Sequence, residues 1–102
     1  MSQKYNAKPI VIDGIRFAST KEGNRYLVLR DMEKKGEITH LELQPKFDMI
    51  VNGIKVGYYK ADFIYFEGQK RIVEDVKGMK TPVYKLKKKI VEAQYSIKIL
   101  ET

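Results

Sequence analysis

The chain predicts an α/β domain, with a mixed central sheet flanked by helices and a short N-terminal hairpin. Three observations carry this. Two tight-turn dipeptides, Asp13-Gly14 and Asn52-Gly53, each divide a pair of β-rich runs. Two side-chain caps, Ser19-x-x-Glu22 and Thr81-Pro82, each open a helical pattern. Between them, Tyr58–Phe66 and Arg71–Lys77 flank the polar stretch Glu67-Gly68-Gln69-Lys70, which has the glycine a hairpin turn needs. The order is hairpin, helix, three antiparallel-leaning strands, helix, strand.

At 102 residues there is one domain, 1–102, with a single core. Met1–Lys8 is polar and reads as a flexible arm. Pro9–Ile12 and Ile15–Phe17 pair across Asp13-Gly14. A helix follows Ser19 and runs to about Lys35, with Gly36 as its terminating glycine. Tyr26, Leu29 and Met32 give its apolar face, with Leu27 and Val28 widening it. Glu37–Leu43 reads as a link to the sheet, and its His40 is assigned no catalytic role. Lys46–Val51 and Ile54–Val56 pair across Asn52-Gly53, and Gly57 permits a bulge before the strand that starts at Tyr58. After Gly78 and a short loop, the helix Val83–Gln94 puts Val83, Leu86, Ile90 and Ala93 on one stripe. Tyr95–Leu100 is the last strand.

Composition removes several chemistries. There is no cysteine, so disulfides, zinc–thiolate sites and thiol catalysis are excluded. One histidine rules out histidine-rich metal sites and disfavours a Ser-His-Asp arrangement. No apolar run approaches the roughly 20 residues that span a bilayer, and no signal-peptide core is visible. A soluble, cytoplasmic protein of a bacterium or a phage-infected cell is expected. The net charge of +7 suits a polyanionic partner such as DNA, and suits plain solubility equally.

The chemistry concentrates on Asp62, Asp75 and Lys77. Alternation puts Asp75 and Lys77 on one face of their strand and Glu74 on the other. A four-residue loop sets Asp62 directly opposite Asp75, with β-carbons roughly 4.5–5.5 Å apart; a two-residue loop makes them diagonal, at about 7–8 Å. Either register gathers Asp62, Asp75 and Lys77. Two carboxylates so close repel and favour a hard divalent cation, beside which Lys77 can hold a water or a developing negative charge. Asp62 lies in a buried run, where an unpaired charge costs several kcal/mol. An ion pair with Lys77 or Arg71 is the structural alternative. A bulge would exchange the faces of Glu74 and Asp75.

Asp62 followed thirteen residues later by Asp75-x-Lys77 resembles the PD-(D/E)xK nuclease signature. Ser19-x-x-Glu22, Leu43-Gln44-Pro45-x-Phe47 and the basic helix after Gly78 extend the likeness to small phage and prophage proteins related to Holliday-junction resolvases, from about Ile10 to Glu101. Alanine at position 61, where the signature has proline, is its one departure. The resemblance implies a restriction-endonuclease-like α/β sandwich and a Mg²⁺-dependent (or Mn²⁺-dependent) DNA endonuclease acting on branched DNA as a homodimer. It implies metal ligation by Asp62, Asp75 and the Val76 carbonyl. Glu22 is then either a ligand or the capping-box carboxylate, and Gln44 either orients a water or satisfies the backbone. Lys80, Tyr84, Lys85, Lys87, Lys88 and Lys89 form the expected DNA-binding set on the second helix, against the alternative of a solvated basic face. A flap, nicking or exonuclease of the same fold, or a silent DNA-binding accessory protein, remains as an alternative.

Overall fold

In the computed structural model, which describes residues 8–102, Asp13 and Gly14 have φ of 55° and 75°, both left-handed as a type I′ turn requires. They close β1 (Ile10–Ile12) onto β2 (Ile15–Phe17). The arm expected over Met1–Lys8 lies outside the described residues except for Lys8, which is exposed. Helix α1 (Thr20–Lys34) starts where its cap predicts: the Glu22 N–H donates to Ser19 Oγ at 3.1 Å, and Gly36 follows the helix at φ 78°. Gly23 permits close packing on the hairpin, because a Cβ there would meet Ile10 Cγ2 at 2.8 Å. Tyr26 and Leu29 are buried, but Leu27 and Val28 are exposed rather than part of the apolar face. They stand about 100° and 200° round the helix from Tyr26, which turns them away from the sheet.

The segment expected to be a link is largely strand β3 (Thr39–Leu43). Its ladder slips between Thr39 and Glu42, where His40 adopts φ 57°, and this bulge obscures the alternation that marks a strand. Strands β4 (Lys46–Val51) and β5 (Ile54–Lys60) pair across a second left-handed turn, Asn52 at 51° and Gly53 at 76°. The expected bulge lies opposite Met49–Ile50, at Gly57. The run Tyr58–Phe66 is not one strand. It breaks at Ala61-Asp62, where the chain leaves the β4–β5 ribbon and enters another sheet as β6 (Phe63–Glu67). Strand β7 (Lys70–Asp75) ends two residues before Lys77. Glu67 pairs with Lys70, leaving Gly68-Gln69 as a two-residue turn. Phe66 faces Arg71, the register expected of a four-residue loop, and the pairing ends at Phe63↔Glu74. Asp62 lies just beyond it, with its N–H on the Glu74 carbonyl.

Helix α2 (Pro82–Tyr95) is capped by Thr81 Oγ1, which accepts from the Tyr84 N–H at 3.1 Å. Its inward residues are Tyr84 and Val91, with Ile90 partly covered. The expected stripe is therefore corrected: Val83 and Leu86 are exposed, at 63% and 60%. Half-buried Lys87 and Lys88 lie nearer the buried side, their aliphatic stems covering it. The helix runs through Tyr95 and stops at left-handed Ser96, so β8 (Ile99–Glu101) starts later than expected.

The main sheet has the order β3-β6-β7-β8, antiparallel except for the parallel β7–β8 pair that α2 connects. It is a mixed sheet, as expected. Alternation along it sorts two apolar layers. Phe63 and Tyr65 pack with Phe17, Tyr26, Leu29 and Ile38 on the α1 side. Ile64, Val73 and Ile99 pack with Phe47, Met49, Tyr59, Tyr84 and Val91 on the α2 side. The same alternation sends two adjacent acids to opposite faces at the end of β7: Glu74 toward α1, Asp75 toward α2.

Candidate active site

Asp75 is fully buried against the α2-side core. The Tyr59 hydroxyl donates to its Oδ2. Its Oδ1 is buried without a hydrogen-bond partner, although the Lys77 ammonium stands 3.2 Å away, close enough for charge attraction but without hydrogen-bond geometry. Lys77 is held over the Tyr84 ring at 4.4 Å. Burial and the Asp75 carboxylate push the Tyr59 hydroxyl far above the usual tyrosine range.

Asp62 occupies the break between β5 and β6, and backbone contacts fix it there. Its N–H donates to the Glu74 carbonyl (3.1 Å), its carbonyl accepts from Gln44 N–H (2.9 Å), and its Oδ2 accepts from Val76 N–H (2.7 Å). Burial first, then hydrogen bonding with Asp75 and that group's charge, pushes the Asp62 carboxyl up to about 8. Glu22, buried at the start of α1, is likewise raised, chiefly by burial. The Ala18 backbone and Asp62 act against that rise, and the charge of Asp75 adds to it. The Ser19 side chain caps the helix, and the Glu22 carboxylate lines the cleft beside Asp62.

Glu22, Asp62, Val76 and Lys77 open together on a cleft of about 400 Å³, whose rim carries Ser19 and Lys21. The Lys21 ammonium donates to the Lys77 carbonyl at 3.2 Å. Gln44 does not line this cleft. Its side chain is exposed, and its left-handed backbone (φ 55°) pins the break through its bond to Asp62. Glu74 stays on the far face, fully buried in a fork with Arg25 (2.6 and 3.0 Å), with Tyr65 and Thr102 also donating to it at 2.7 and 3.0 Å.

The fit to a divalent cation is chemical rather than preassembled. Oxygen donors, an unsatisfied buried carboxylate oxygen and mutual repulsion between acids are what a hard cation relieves. Among the described residues, however, no three His, Cys, Asp or Glu side chains stand together as a metal-binding group.

The expected DNA-binding set divides. Lys80 pairs with Glu101 at 3.0 Å and Lys88 with Glu92 at 3.3 Å. Lys85 and Lys89 are exposed, and half-buried Lys87 lines a second cleft beside Lys77. Tyr84 hydrogen-bonds instead of stacking at the surface: it is buried under Lys77, and its hydroxyl donates to Glu101 Oε2 at 2.7 Å. Sequence reasoning missed Tyr59 and Lys21. Tyr59 reaches Asp75 from a different sheet, so no spacing along the chain connects them.

Among the described residues no helix is long and apolar enough to cross a membrane. No curated protein and no solved structure matches the chain. A family model covers nearly all of it, residues 2–100, and the chain belongs to that family, described as a protein of unknown function (DUF1064).

Proposed function

We propose that this protein is a metal-dependent DNA endonuclease of the PD-(D/E)xK kind, with a restriction-endonuclease-like core. The observation that carries the reading is the fully buried Asp75 carboxylate, whose Oδ1 lies 3.2 Å from the Lys77 ammonium, directly behind an open cleft that Asp62 and Lys77 line. Glu74, on the far face, instead has both oxygens hydrogen-bonded within the fold.

Asp62, Asp75 and the Val76 carbonyl would hold Mg²⁺ or Mn²⁺, with Glu22 completing the donor set from α1. When bound, such an ion supplies Lewis acidity and a water of lowered pKa. Lys77 would orient an attacking water by hydrogen bonding and stabilise the charge that builds on the phosphate. Tyr84 fixes the Lys77 ammonium from below, and Lys21 pins its backbone. Tyr59 engages one Asp75 oxygen, which would leave the other for a cation. The basic residues of α2 carry the phosphate backbone on either side.

Branched DNA is the substrate class the Holliday-junction resolvase resemblance suggests, and paired cuts call for a twofold dimer. A second reading, a DNA-binding accessory protein without cleavage, draws on the absence of a preassembled three-ligand group among the described residues.

The test incubates the protein with a four-way junction, a matched duplex and single strands, with and without Mg²⁺, beside folded Asp75→Asn and Lys77→Met. Mg²⁺-dependent symmetric nicks at the junction, reduced roughly 10²–10³-fold or more in both variants, are expected. Equal cutting of all substrates keeps the nuclease and removes the junction preference. Binding without cutting in either Mg²⁺ or Mn²⁺ overturns the enzyme and leaves the second reading.

A further inference from the structure

The two tyrosines that close β5 differ sharply. Tyr59 is 4% exposed and belongs to the core; Tyr58, one residue earlier, is 41% exposed. Cations from three elements surround the Tyr58 ring: Lys46 of β4 at 4.5 Å from its centre, Lys87 of α2 at 5.8 Å and Lys55 of β5 at 5.9 Å. Lys60 adds a fourth, directly opposite Lys46 in the β4–β5 register. Like charges directly opposite one another destabilise a ladder. The ribbon holds one carboxylate, Asp48, and it is engaged by Lys55 at 3.3 Å. Lys46, Lys60 and Lys87 have no carboxylate partner among the described residues. Ring and lysines together make poor packing and a good receptor for a flat group carried on a polyanion.

This surface is continuous with the candidate active site. A second cleft, about 350 Å³, is lined by Tyr58, Lys60 and Lys87 and reaches Lys77, which also lines the first cleft. We infer that the outer face of β4–β5 is a single-strand subsite, where an unpaired base stacks on Tyr58 and its flanking phosphates rest on Lys46, Lys55, Lys60 and Lys87. Its position on a strand leading to Lys77 rests on the nuclease reading; the binding site itself does not. A duplex keeps its base faces inside its own stack and engages the lysines alone. Only an unpaired base offers its face to the ring, which selects single strands, frayed ends and the open centre of a branch.

The test measures fluorescence anisotropy of labelled oligothymidylate and of a matched duplex, in EDTA so that nothing is cut. Tyr58→Leu should weaken oligothymidylate binding about 5–100-fold. Tyr58→Phe and Tyr58→Trp should stay within about twofold of the wild type, and so should duplex binding by Tyr58→Leu, because the lysines remain. Lys46→Gln with Lys60→Gln should flatten the single-strand salt dependence by about 0.7 in log–log slope per lysine. Wild-type affinity in Tyr58→Leu, equal losses on both nucleic acids, or loss in folded Tyr58→Phe overturns the subsite.

Should Tyr58→Leu fail to fold, photocrosslinking of an iododeoxyuridine-bearing oligomer to the unaltered protein decides. An adduct at Tyr58 supports the subsite, and adducts only elsewhere overturn it. A wild-type protein that never cuts, yet loses single-strand affinity in Tyr58→Leu, keeps the subsite and sinks the nuclease. One that cuts normally while Tyr58→Leu binds like the wild type does the reverse.

Discussion

Glu74 and Asp75 are chain neighbours, both fully buried at the end of β7, and they meet opposite fates. Glu74 faces α1, where both its oxygens are bonded in the Arg25 fork, with Tyr65 and Thr102 adding further donors. Asp75 faces α2 with the Tyr59 hydroxyl on Oδ2, the Lys77 ammonium 3.2 Å from Oδ1 and a second acid, Asp62, close by. A buried charge that is fully bonded ties elements together. One that meets a second acid and a lysine instead is a candidate for binding, the role proposed for Asp75. The lesson is that burial alone does not identify a site; the completeness of the hydrogen bonding does.

The comparison breaks most readily at Glu74. Glu74→Ala strands Arg25 beside an apolar hole, and unfolding in urea should show a loss of about 3–5 kcal/mol. Asp75→Asn should cost less, about 1–2 kcal/mol, since the amide oxygen can still accept from Tyr59 and the ionic partner lost is the partly exposed Lys77. Comparable losses would erase the distinction. The next effect is cation binding. At about one hundred times its dissociation constant, Mn²⁺ should stabilise the wild type by about 2.7 kcal/mol, a rise in Tm of roughly 10 °C or more. It should leave Asp75→Asn nearly unmoved, and an equal shift in both would move the cation elsewhere.

Much of the fold was legible because local chemistry dictated it. Asp13-Gly14, Asn52-Gly53, Ser19 and Thr81 each act through their own backbone neighbours, so those turns and caps are where the sequence puts them. The site was legible in outline because Phe66 faces Arg71, which brings the entry to β6 at Asp62 beside the end of β7 at Asp75. Lys77, two residues on, reaches the same carboxylate. What escaped depended on distant partners. The break at Ala61-Asp62 exists because β5 and β6 belong to different sheets, and β-propensity cannot announce a change of partner. Strand β3 was hidden by the bulge at His40. The inner face of α2 was misassigned because Tyr84 and the stem of Lys88 pack inward while Val83 and Leu86 face out.

The Asp62 carboxyl sharpens the comparison through pH. With its native pKa raised from 3.8 to about 8, the folded state holds a proton that the unfolded chain has released. That contribution to stability is complete below about pH 4 and is lost as pH rises toward 8. Asp62→Asn mimics the protonated form. It should leave Tm unchanged near pH 5 and raise it near pH 8, by an amount corresponding to roughly 1–2 kcal/mol after allowance for partial exposure. A constant difference across that range would place the repulsion elsewhere.

The smallest effect separates the two tyrosines that serve the two acids. Tyr65→Phe removes one of several donors from Glu74, and the Arg25 fork remains to hold the carboxylate. A loss of about 0.5–1.5 kcal/mol is expected, with no response to Mn²⁺ concentration. Tyr59→Phe removes the hydroxyl from Asp75 Oδ2 and leaves the carboxylate to Asp62 and the Lys77 ammonium. Without cation the loss should be near the upper end of that range or somewhat beyond, because a buried charged acceptor is left bare. With saturating Mn²⁺ it should shrink, since the freed oxygen becomes a second donor to the ion. Melting both variants across a Mn²⁺ series reads the difference directly. Parallel curves would mean that Tyr59 and Tyr65 do the same structural work, and that Asp75 differs from Glu74 only in how many bonds it makes.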